Sequence, residues 1–199
     1  YKGGVGRSLS LLAFAKAWSS VFEEKKNSRL LIVDADIEAP GLTWIQSTIS
    51  NETFSYLDLL TMIQDNRPID EITELACSKL KMSTITVETD TQKIEHIFMP
   101  TYRYEEQLID LYATPESIVN IRKREYSLAT IFSKICDRLG LSVALVDLRA
   151  GISEYSSTIL LDPRVKKYLV TSTSTQSIRG TQTILKYLLK GLSVGENTN

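Results

Sequence analysis

The chain has little of what builds metal centres or disulfide frameworks. Its 199 residues hold two cysteines, Cys77 and Cys136, and a single histidine, His96. The cysteines lie far apart and form no CxxC pair, which argues against a thiolate site or a disulfide. Both read as buried small apolar residues in a reducing, cytoplasmic compartment. A lone histidine cannot found a histidine metal site, and His96, in "IEHIFMP", reads as a strand residue. An excess of one charge is also missing: 23 Lys and Arg stand against 24 Asp and Glu, a net charge of −1. No basic stripe therefore points to nucleic acid. No signal-peptide pattern is read, and no apolar run reaches the ~20 residues of a membrane-spanning helix. The longest candidate, "LSLLAFAKAWSSVF", is too short and reads as a buried core helix.

What is present suits a globular chain. Hydrophobic residues make up 43% and charged residues 24%, enough for one domain over residues 1–199. Helical spacing runs from Ser8 to about Lys26 and stops at Asn27 and Ser28. "RLLIVDAD" is a continuous apolar run ending in acids, the pattern of a strand buried on both faces. Residues 53–65 and 68–80 read as helices, with Pro68 in the first turn of the second. "STITVET" and "KIEHIFMP" read as strands, with "DTQ" able to turn a hairpin between them. A helix is expected over 116–139, a buried strand in "LSVALVDL" and a helix in "GISEYSSTILL". A further strand is expected in "KKYLVTST", then a last helix ending at Gly191. Alternating strands and helices predict an α/β fold with a mainly parallel central sheet flanked by helices, with ligands at the carboxyl ends of strands.

Three stretches carry chemistry. In "KGGVGRS", Lys2 to Ser8, the glycines let backbone N–H groups converge on an anion, and the following helix adds its positive end. Ser8 offers a hydroxyl suited to Mg2+; the alternative is a glycine turn before a helix. In "LLIVDADIEAPGLT", Asp34 and Asp36 end a strand, where a pair of acids can orient water directly or through a metal. In "VALVDLRAGIS", Asp147 ends another strand and Gly151 follows it. Solvation of strand ends is the plainer account of each acid taken singly.

In this order the three stretches resemble the deviant Walker A ATPases of the ParA/MinD type. That family's phosphate loop reads KGGxGK[ST], and Lys2-Gly3-Gly4-Val5-Gly6-Arg7-Ser8 departs from it at Arg7 alone. Asp34-Ala35-Asp36 is similar to its switch I pattern, "DIEAPGLT" to a D-x-x-x-P-G-L form found in part of the class, and Asp147 through Gly151 to Walker B and switch II. The resemblance covers most of residues 1–50 and 140–191, and the middle, 51–135, is only loosely assigned. It implies a P-loop fold of the deviant Walker A type. The chain would then be a fragment without its first strand, that strand being supplied by residues outside these 199.

The resemblance also implies roles. Lys2 is similar to the signature lysine that reaches the partner's phosphates in an ATP-sandwich dimer. Gly3, Gly4, Val5, Gly6, Arg7, Ser8 and Leu9 would bind nucleotide. Ser8 and Asp147 would hold Mg2+, with Asp34 acting through its water shell and Asp36 positioning the attacking water. Gly151 and Arg149 would belong to switch II; a surface salt bridge accounts for Arg149 equally well. Arg7 keeps the loop's charge in a bulkier, planar, bidentate form, and resembles a KGGVGR subtype of the loop. The implied activity is slow ATP hydrolysis by a switch that dimerises around Mg-ATP and signals to a protein partner. Two other functions fit the same residues: a non-hydrolysing nucleotide-sensing scaffold in a larger protein or complex, and a small-molecule phosphotransferase. "TSTSTQSIRG" would line the base or ribose, or cap a helix. The tyrosine-rich "PTYRYEEQLIDLYATPES" would form a lid or partner surface, or pack around a loop.

Overall fold

The computed structural model describes residues 6–22, 28–46, 49–91, 93–109, 127–149, 151 and 154–195. The first helix, α1 (Arg7–Val21), leads into strand β1 (Leu31–Ala35). Short α2 (Gly41–Ile45) follows, then α3 (Tyr56–Gln64) and α4 (Ile69–Leu80). A hairpin of β2 (Thr84–Glu88) and β3 (Lys93–Met99) precedes the single turn α5 (Glu106–Ile109). Next come α6 (Ser127–Leu139), β4 (Ala144–Leu148), α7 (Glu154–Leu160) and α8 (Thr175–Gly195).

The described strands form one sheet in the order β2-β3-β1-β4. β1 runs parallel to both neighbours, and β2 joins β3 antiparallel, so the sheet is mixed but mostly parallel. All five residues of β1 are buried, as its continuous apolar run requires when helices cover both faces. Leu31 and Val33 pack into the larger core with α3, α4 and α6, whose buried residues include Leu59, Ile72 and Ile131. Ile32 points the other way, into a smaller core with Ala15 of α1, Leu42 of α2 and Phe98 of β3. The period of two along β1 therefore sends Asp34 to the same face as Ile32.

Several boundaries differ from those read in the sequence. α3 starts at Tyr56 because Ser55 caps it: its hydroxyl accepts from the Asp58 amide at 3.1 Å, and the Asp58 carboxylate accepts from the Ser55 amide at 2.9 Å. Pro68 precedes α4 as its cap, with an extended ψ of 139°. Part of the helix expected over 116–139 lies outside the described residues; the described part is Ser127–Leu139.

Residues 166–173 join no sheet ladder. Their β-rich composition favours a pleated, half-buried surface but supplies no paired edge. Tyr168 instead rests beside Phe14 of α1, with ring centroids 6.0 Å apart. The last helix does not stop at Gly191 but continues to Gly195, since a lone interior glycine costs a helix only about 1 kcal/mol. Cys77 and Cys136 are free and buried, as expected, and burial pushes the Cys136 thiol up to about 12.

Candidate functional site

The site gathers where α1 begins and where β1 and β4 end. Gly6 precedes α1 with φ 85°, in the left-handed region that glycine adopts without strain. The first intrahelical bond runs from the Ser10 amide to the Gly6 carbonyl at 2.8 Å. Helix geometry therefore leaves the N–H groups of Arg7, Ser8 and Leu9 without intrahelical acceptors, at the positive end of a 15-residue helix. The Leu9 side chain faces outward, so only its backbone can serve a ligand here.

β1 and β4 pair in parallel with Asp34 opposite Asp147, which sets the two carboxylates side by side. Ser8 reaches in from the helix and donates to Asp147 Oδ2 at 2.5 Å, across 139 positions of sequence. Arg7 donates from Nη2 to Asp36 Oδ2 at 2.8 Å. Its Nε lies 3.8 Å from Asp147 Oδ1, within ion-pair range but beyond a hydrogen bond. Arg7 Nε and Nη1 are buried and have no hydrogen-bond partner among the described residues. The guanidinium thus touches both acids and keeps donors to spare.

The three carboxylates have different surroundings. Asp34 is fully buried and accepts from the Thr43 amide at 2.7 Å and the Asp36 amide at 3.3 Å. Burial raises its carboxyl to about 6, an effect the Thr43 amide opposes and neighbouring Asp147 reinforces. Burial also raises Asp147, against the Ser8 hydroxyl and the Arg7 charge that favour its ionised form. Asp36 lies just past the strand and accepts from the Ala39 amide at 3.1 Å, which curls the following loop over the site.

Of the residues singled out in the sequence, Arg7, Ser8, Asp34, Asp36 and Asp147 come together. Arg149 does not join them: it forms an ion pair with Glu38 on the loop after β1, tying the two strand-end loops together. Gly151 has φ 89°, a conformation suited to glycine in the loop after β4. Lys2, Gly3, Gly4 and Val5 lie outside the described residues. In "TSTSTQSIRG" Ser174 caps α8, its hydroxyl accepting from the Ser177 amide at 3.3 Å, and the Ser177 hydroxyl bonds to those of Ser172 at 2.8 Å and Ser174 at 3.0 Å.

Sequence reasoning passed over Thr43 and Thr101, and it reads Pro40 and Gly41 as forcing a loop where Gly41 in fact opens α2. Thr101 donates to the Asp34 carbonyl at 2.9 Å, and its own amide donates to the Thr43 hydroxyl at 2.9 Å. Thr43 and Gly41 lie inside the stretch "DIEAPGLT" and were legible there as neighbours of the acids. Thr101 carries no local signal, because only the β1–β3 pairing brings it close.

Among the described residues, no group of three or more His, Cys, Asp or Glu side chains is placed to hold a metal ion. A hydroxyl and one carboxylate, Ser8 with Asp147, instead suit Mg2+ that takes its other ligands from water and phosphate. No helix among the described residues is long and apolar enough to cross a membrane. Searches against protein-family models, curated proteins and solved structures return no match for the chain.

Proposed function

We propose that the chain is a nucleotide-binding domain of the deviant Walker A P-loop type, an ATP-binding and ATP-hydrolysing switch that dimerises around Mg-ATP and signals to a protein partner. The observation that carries it is the meeting of Ser8, from a glycine-led helix start, with Asp147, from a strand end, at 2.5 Å. Chance solvation of strand ends does not bring a hydroxyl from a remote helix onto a buried acid. Ser8 and Asp147 would hold Mg2+, which when bound draws charge from the terminal phosphates. The amides at the start of α1 and the spare donors of Arg7 would take phosphate oxygens. Asp34, anchored by the Thr43 amide, would order water around the metal, and Asp36 would orient the attacking water.

The test is Mg2+-dependent ATP turnover by the full chain beside its Asp36→Ala variant. Turnover that falls at least about 100-fold in the variant supports the switch. Equal turnover in both would overturn the role of Asp36.

The Arg7–Asp36 ion pair favours a second reading, the non-hydrolysing nucleotide-sensing scaffold. The guanidinium donates to Asp36 Oδ2 at 2.8 Å and so occupies a lone pair that an attacking water would need. Tight ATP binding with no turnover in the wild-type chain would select that reading.

A further inference from the structure

Gly41 stands at the first position of α2, directly after Pro40. Its backbone does not explain it. The glycines with positive φ among the described residues are Gly6, Gly140 and Gly151, so Gly41 has a conformation open to any residue. Helix propensity does not explain it either, because alanine is favoured over glycine inside a helix. Its surroundings do. A Cβ built on Gly41 would stand 3.2 Å from Ser8 Oγ and 3.9 Å from Ser8 Cβ. The same hydroxyl makes the 2.5 Å bond to Asp147.

Neighbouring contacts hold that approach in place. Leu42 is buried against α1 in the smaller core, and the Thr43 amide is bonded to Asp34 at 2.7 Å. α2 is therefore held on both sides of Gly41, and the few tenths of an ångström that a Cβ would need fall first on Ser8. Pressure from a side chain at position 41 then falls on the Ser8 hydroxyl, which has its own rotamers to move through.

We propose that Gly41 is a positioning residue for Ser8: its missing side chain leaves the hydroxyl in the rotamer that meets Asp147. It acts on the metal-binding half of the site and leaves the phosphate-binding amides of α1 untouched. The consequence for ligand binding rests on the nucleotide-site reading above; the steric role does not.

Both parts can be tested separately. Affinity of the full chain for a fluorescent ATP analogue is measured in Mg2+ and in EDTA, for wild type, Gly41→Ala, Ser8→Ala and the double variant. Gly41→Ala is expected to weaken binding roughly tenfold in Mg2+, the order seen when a residue supporting a metal ligand is changed. Binding in EDTA should stay unchanged, and the melting temperature should fall no further than it does in Ser8→Ala, which loses the same bond to Asp147. Added to Ser8→Ala, the change should do nothing further, because the hydroxyl it displaces is gone.

A loss of equal size in EDTA, or full additivity with Ser8→Ala, would overturn the proposal. If the wild-type chain binds no nucleotide in either buffer, the nucleotide reading fails and the steric claim is decided by crystal structures of wild type and Gly41→Ala. Ser8 Oγ turned away from Asp147 in the variant supports it, and an unchanged Ser8 rotamer overturns it.

Discussion

At the scale of single residues, two buried titratable groups pull stability in opposite directions. Asp34 is held at about 6 by burial, above its ordinary 3.8, so the folded state takes up its proton more readily than the unfolded chain. That favours folding as pH falls through 6 toward 4. His96 is fully buried in β3, with Nδ1 accepting from the Leu30 amide at 3.2 Å and Nε2 3.0 Å from Ser19 Oγ. Burial, with help from nearby Arg29, lowers it from 6.5 to about 4. The neutral ring therefore contributes stability above 6.5 that is lost as pH falls toward 4. The two displacements are of similar size, about 3 kcal/mol each, and largely offset one another. Asp34→Asn removes only the acid-favoured half. Its stability should drop by roughly 2 kcal/mol between pH 7 and pH 5, while the wild type loses less than half of that. Urea titrations at the two pH values measure both. Equal losses in the two proteins would show that Asp34 is not held by burial.

At the scale of elements, caps and caging contacts decide where helices begin. Ser55 and Asp58 close a reciprocal box at the start of α3, and Asp58 is also gripped by Arg103 at 2.9 Å and 3.0 Å and by Gln107 at 3.0 Å. One carboxylate thus ties α3 to the turn at α5. Ser55→Ala should cost about 1 kcal/mol, a fall of roughly 2–4 °C in melting temperature for a chain of this size. Calorimetry gives the value, and an unchanged melting temperature would mean that Arg103 and Gln107 hold α3 without the box. The helical reading of residues 53–65 begins before this cap, and Phe54, which faces the core without being helical, shows why. Periodicity reports which residues face a core; it does not report where the backbone stops turning.

At the scale of the whole molecule, β1 is the centre. It has a parallel neighbour on each side and a hydrophobic core on each face. β2 has only β3 beside it among the described strands, and its residues alternate between buried and exposed or half-exposed. Amides of β1 should exchange with solvent only through near-global opening, and those of β2 through cheaper local opening. Hydrogen exchange followed by mass spectrometry should show peptides over 30–36 exchanging at least about tenfold more slowly than peptides over 84–88. Equal rates would mean that the sheet opens as one unit.

Much of this arrangement was legible in the residues themselves. The continuous apolar run of β1 specified a strand covered on both faces, whereas β4, expected to be buried in the same way, is only half-buried apart from Asp147, because no described strand pairs with its outer edge. The glycine before Arg7 specified where α1 starts, because a left-handed residue ends one conformation and admits another. Tertiary structure alone decided what these pieces meet. Parallel pairing set Asp34 beside Asp147, the fold of the loop after β1 pressed Gly41 onto Ser8, and residues 166–173 joined no ladder despite a strand-like composition. Local sequence governs backbone preference and the facing of side chains. Contacts between residues 139 positions apart depend on register and packing, which exist only once the sheet is assembled.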